Sequence, residues 1–98
     1  MRLSFTQQFI LSAISAESPI RKSLAKLIKV AGQLSEQELR AHKGIHLHKI
    51  QNQIDPDSGL QLESMEVTSA ARVKCLIQNG KLVLLTLHTD HDETYGRK

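Results

Sequence analysis

The 98-residue chain has no tryptophan, one cysteine, one tyrosine and two phenylalanines. A lone cysteine excludes an intrachain disulfide and a multi-thiolate zinc site. Cys75 sits inside an apolar run, so it reads as a small buried hydrophobe in a chain suited to a reducing compartment. With Phe5, Phe9 and Tyr95 as the only aromatics, a broad base-stacking platform for single-stranded nucleic acid is excluded. No stretch approaches the ~18 consecutive apolar residues of a membrane span. Phe9 to Ile14, between Arg2 and Ser15-Ala16, superficially resembles a signal-peptide core. That run is short, and its apolar residues fall at helical spacing. The expectation is a cytoplasmic protein with no membrane association.

What is present is ordinary for a folded domain: 40% hydrophobic and 23% charged residues, enough for one core and too little chain for two. Thirteen Lys and Arg against ten Asp and Glu leave a formal charge of +3, consistent with a polyanionic or acidic partner.

The pattern predicts an α+β protein, with two N-terminal helices packed on a mostly antiparallel, twisted sheet of four to five strands. Met1 to Phe5 alternates as a short first strand. Thr6 is placed to cap a helix whose stripe is Phe9, Ile10, Ala13 and Ile14. Ser18, as N-cap, and Pro19 open a second helix, with Ile20, Leu24, Leu27, Ile28 and Ala31 on one face and Lys22, Lys26 and Lys29 on the other. Gly32 is its natural stop. Ser35-Glu36-Gln37-Glu38 spells a capping box for one further helical turn.

Ile45 to Ile50 reads as a strand that alternates Ile45 and Leu47 with His46 and His48. A turn follows at Asp55-Pro56-Asp57-Ser58-Gly59. The next strand changes phase between Leu62 and Met65, which predicts a bulge or a late start. Asn79-Gly80 between two apolar runs predicts a type I′ hairpin. Its register sets Ile77, Cys75 and Val73 opposite Leu82, Leu84 and Thr86, and Leu76, Lys74 and Arg72 opposite Val83, Leu85 and Leu87. One face is then clean core. Two helices cannot cover both sides of the sheet, so the face bearing Arg72 and Lys74 is expected to stay partly open.

Three segments resemble the RelE/ParE toxin superfamily of bacterial toxin–antitoxin modules. Gly44 to Ile50 is similar to the family's G-x-x-x-H-K-L strand, and Val67 to Val73 to its strand–turn–Y-R-V segment, with Ala71 in place of the aromatic. Leu84 to Tyr95 resembles the ending in which the last strand runs into H-x-D-E-x-Y. The resemblance implies a single RelE-like domain over residues 1–98, of order βααβ(β)ββ with a short C-terminal helical turn.

It also implies a toxin that inhibits translation as a metal-independent, ribosome-dependent endoribonuclease (an mRNA interferase), in which the RNA 2′-hydroxyl attacks the adjacent phosphate. The matching catalytic positions are Arg72, Lys49, His48, Tyr95 and His91, with Lys74, Lys49 and Arg72 binding RNA. Arg72 suits a developing oxyanion, because a planar guanidinium holds two phosphate oxygens. His48 is of the residue type that most often moves protons in catalysis. No cofactor is expected. A metal site built on His46 and His48 with His42, His88 or His91 is the weaker reading, for no HExxH motif is present. The implied partners are a cognate antitoxin and the ribosome with its message. A ParE-like inhibitor of DNA gyrase and a non-toxic binding protein of the same fold are the alternatives.

Overall fold

The computed structural model describes residues 1–89; the predicted C-terminal turn, with His91 and Tyr95, lies outside them. Along the chain run β1 (Arg2–Phe5), α1 (Gln7–Ile14), α2 (Ser18–Ala31), α3 (Glu36–Ala41), β2 (His48–Ile54), β3 (Gln61–Glu66), β4 (Arg72–Gln78) and β5 (Lys81–His88). The strands form one sheet in the order β1-β5-β4-β3-β2. Only β1 is parallel to its neighbour; the other three pairings are antiparallel. This is the expected α+β architecture, and the helical turn expected after Ser35 is α3.

Local chemistry accounts for each element. The Thr6 hydroxyl caps α1 by accepting from the Phe9 amide. At α3 the capping box closes in both directions, Glu38 N to Ser35 Oγ and Ser35 N to Glu38 Oε1. Those hydrogen bonds hold the Glu38 carboxyl below its ordinary range. Helix α2 departs from expectation at its start: the N-cap is Glu17, which makes no side-chain cap bond, and Ser18 already lies inside. Its apolar face packs as predicted, with Leu24, Leu27 and Ala31 buried.

Helix α1 packs through Phe9, while Ile10 and Ile14 of its predicted stripe are exposed along with Leu11. Arg21 caps the end of α1, donating to the carbonyls of Ile14 and Ala16. Asn79 and Gly80 both take positive φ, 55° and 74°, as a type I′ turn requires.

Phe9, Leu24, Leu27, Ala31 and Leu39 from the helices meet Met65, Val73, Cys75, Leu82, Leu84 and Leu87 from the sheet in one core. Among the core-facing positions of β3 is an acid, Glu63, and this explains the phase change read in the sequence. Residues 63–66 pair with β4 without a break. The carboxylate of Glu63 is buried and accepts two hydrogen bonds from Arg40 of α3, at 2.8 and 3.0 Å. This pairing makes the Arg40 guanidinium still harder to deprotonate.

The hairpin register holds near the turn and fails beyond it. Ile77, Leu76 and Cys75 pair with Leu82, Val83 and Leu84; the next pair is Lys74 with Thr86, then Val73 with Leu87 and Arg72 with His88. Leu85 is the extra residue of a β-bulge. Its carbonyl accepts from the Thr6 hydroxyl at 2.6 Å, and the Leu87 amide donates to Ser12 Oγ at 3.1 Å. The bulge returns Leu87 to the core and turns Thr86 and His88 to the other face.

Candidate nucleic-acid interface

The sheet face turned away from the helices divides into two halves. Toward the hairpin it is apolar, with Leu76 buried beside Val83 on β5. Toward the other end it is polar. There His48, Ser64, Lys74 and Thr86 form one cross-strand row, and Glu66, Arg72 and His88 form the next. The four cationic or imidazole side chains in these rows are all half-buried. Such placement weakens solvent screening of the charges on Lys74 and Arg72.

Arg72 is anchored by its own turn. Its Nη1 donates to the carbonyls of Thr68 at 2.7 Å and Ala71 at 3.1 Å, and lies 3.9 Å from Glu66 Oε2. These bonds fix the guanidinium at the edge of the polar half. His88 Nε2 lies 2.7 Å from Thr86 Oγ1, and His48 Nδ1 lies 3.1 Å from the His46 carbonyl. Ser64 is fully buried, and its hydroxyl has no hydrogen-bond partner among the described residues. An orphan hydroxyl of this kind costs about 1–3 kcal/mol.

The structure brings together three of the residues picked from sequence, His48, Arg72 and Lys74. Lys49 is placed apart from them. It pairs with Glu63, so it stands on the helix side of the sheet, exposed at the β2 edge. Strand alternation is the cause, since it sends the adjacent residues His48 and Lys49 to opposite faces. His91 and Tyr95 lie outside the described residues. Sequence reasoning missed Glu66, Ser64, Thr86 and His88 as members of this face. For Thr86 and His88 the reason is the Leu85 bulge; the regular register had assigned Leu85 and Leu87 to their places. Among the described residues no three His, Cys, Asp or Glu side chains converge in a way that can hold a metal ion.

The fold is RelE-like. YafQ from E. coli strain BL21(DE3) superposes with a TM-score of 0.69 at 14% identity, covering 98% of this chain and 100% of that one. A chain of the RelB–RelE antitoxin–toxin complex from Methanococcus jannaschii gives 0.68 at 10% identity, covering 95% of each. A chain of the archaeal RelE–RelB complex from Pyrococcus horikoshii OT3 gives 0.66 at 13% identity, covering 92% of this chain and 94% of that one. No family model matches the sequence, and no curated protein does. None of the described helices is long and apolar enough to cross a membrane.

Proposed function

We propose that the chain is the toxin of a toxin–antitoxin module and cleaves messenger RNA on the ribosome. The observation that carries this reading is the polar half of the outer sheet face, where Lys74, Arg72, His48 and His88 gather on a RelE-like fold. Cleavage by the 2′-hydroxyl needs positive charge at the phosphate and groups that accept and donate protons. Lys74 and Arg72 supply the charge. His48 supplies a proton acceptor. Tyr95 and His91 join them in this proposal from the sequence resemblance alone. Scarce aromatics fit an enzyme that borrows the ribosome to hold its RNA, since the chain itself cannot stack a run of bases.

The antitoxin of this reading covers the helical side. Ile10, Leu11 and Ile14 of α1 are exposed, and α1 and α2 enclose an apolar groove of about 230 Å³ lined by Ala13, Ile14, Leu24 and Ile28. Lys22, Lys26 and Lys29 are exposed on α2. An amphipathic antitoxin helix with acidic flanks matches both features.

Controlled induction in bacteria tests the reading, with growth, message integrity and the SOS response scored together. Growth arrest with fragmented messages supports it. Arrest with SOS induction and intact messages instead identifies a gyrase poison, and unimpaired growth at high soluble expression identifies a non-toxic binding protein.

A further inference from the structure

Glu66 ends β3 beside the residues assigned to RNA, and the proposed function leaves it unused. Its carboxylate lies between an imidazole and a guanidinium: Oε1 is 3.6 Å from His46 Nδ1 and Oε2 is 3.9 Å from Arg72 Nη1. Both neighbours are fixed by backbone. Glu66 pairs with Arg72 across the sheet, and its amide donates to the Ile45 carbonyl at 2.8 Å. His46 sits in the left-handed region, with φ 54°, and its amide donates a hydrogen bond to the His42 carbonyl at 3.1 Å. Left-handed backbone at a residue other than glycine is strained, and such positions gather at functional sites. Here it sets the His46 ring 5.0 Å from that of His48. The His46 side chain is 65% exposed, so a substrate lying on the face reaches it. With Nδ1 turned to Glu66, Nε2 is the nitrogen left for the substrate.

We propose that His46 is the general acid of the cleavage and that Glu66 positions it. The inference rests on the nuclease reading above. In that reaction the 2′ oxygen forms a bond to phosphorus and its proton passes to an acceptor at the His48 end. The bond from phosphorus to the 5′ oxygen breaks, and the departing oxygen takes the bond's electron pair and a proton from His46 Nε2. The products are a 2′,3′-cyclic phosphate and a 5′-hydroxyl, with no water, oxidant or metal consumed. Two neighbouring imidazoles give the step its two proton sites, and the Glu66 carboxylate orients the donor while also meeting the guanidinium that faces the phosphate.

The test uses ribosomes programmed with a message whose scissile linkage carries either the normal 5′ oxygen or a bridging 5′ sulfur. A thiolate leaves without being protonated, so loss of a general acid is felt on oxygen and not on sulfur. His46→Asn removes the proton donor and keeps a residue type that this chain already accommodates at positive φ, at Asn52 and Asn79. The expected result is cleavage slowed about 100-fold or more on the oxygen linkage. On the sulfur linkage the variant should cut at close to the wild-type rate. Glu66→Gln should show a smaller loss on oxygen with the same recovery on sulfur, which a merely structural role would not produce. Equal slowing on both linkages, or full activity of His46→Asn on oxygen, overturns the assignment while leaving the nuclease reading intact. A folded wild-type protein that cuts neither linkage overturns both.

Discussion

The hydroxyl of Thr6 donates to the carbonyl of Leu85, at 2.6 Å, across 79 residues of chain, while accepting from the Phe9 amide at 3.0 Å. One side chain thereby caps α1 and holds the bulge that places Thr86 and His88 on the outer face of the sheet. Thr6→Val removes both bonds at nearly constant volume and should destabilise the fold by about 1–2 kcal/mol. Thr6→Ser should retain most of that stability. Denaturant unfolding of the two variants checks the expectation; equal stabilities would show that the hydroxyl does not hold the bulge.

Arg40 and Glu63 form a bidentate pair in which the carboxylate is buried and the guanidinium is partly exposed. Arg40→Leu leaves the carboxylate unpaired in the core and should cost about 3 kcal/mol, reduced from a fully buried case by solvent at the arginine end. The double variant Arg40→Leu/Glu63→Leu should be more stable than Arg40→Leu alone. A double-mutant cycle measures the coupling, and additive losses would contradict it.

Ser64 predicts a gain. Removing its unpartnered, buried hydroxyl with Ser64→Ala should leave stability unchanged or raise it by about 1 kcal/mol. Thermal unfolding reads the sign. A clear loss of stability would mean that the hydroxyl has a partner in solution.

Burial pushes the Cys75 thiol well above its ordinary value, and the Glu63 carboxylate adds to the effect. Below the ordinary thiol value of 9.0 both folded and unfolded chains keep the proton, so Cys75 confers no pH dependence there. Above it the unfolded chain ionises first, and stability should fall as pH rises. Replacing Cys75 with alanine should flatten that alkaline slope. In the native protein at pH 8, iodoacetamide should leave Cys75 unmodified, and in denaturant it should label it fully.

Much of the architecture is legible in local sequence because local chemistry decides it. Asn79-Gly80 sets the hairpin and its first four pairs, and Ser35 with Glu38 sets α3. The spacing of Leu24, Leu27 and Ala31 fixes the face that α2 buries. What escapes the sequence depends on distant contacts. Nothing near Leu85 announces a bulge, since the hydroxyl that holds it belongs to Thr6. Glu63 reads as a break in the strand pattern because its partner, Arg40, lies on a helix. Lys49 is assigned to the wrong company because the family motif sets it beside His48, whereas strand alternation sends neighbours to opposite faces; Asn52, at φ 65°, lies where the register shifts between Lys49 and Ile54. The openness expected of the Arg72 face is limited: Leu76 and Ser64 are buried in it, and the Arg72 side chain is 12% exposed.

The central claim is that the polar half of the outer sheet face grips the scissile phosphate. Purified ribosomes stalled on a defined message test it most directly, with cleavage followed in time for the wild type, Lys74→Ala and Arg72→Lys, each shown by circular dichroism to be folded. Arg72→Lys keeps the charge and loses the fork that holds two oxygens. Wild-type protein should cut the message to a 2′,3′-cyclic phosphate end, and each variant should be slower by about 100-fold. Undiminished cutting by both variants, or an uncut message with the wild type, would contradict it.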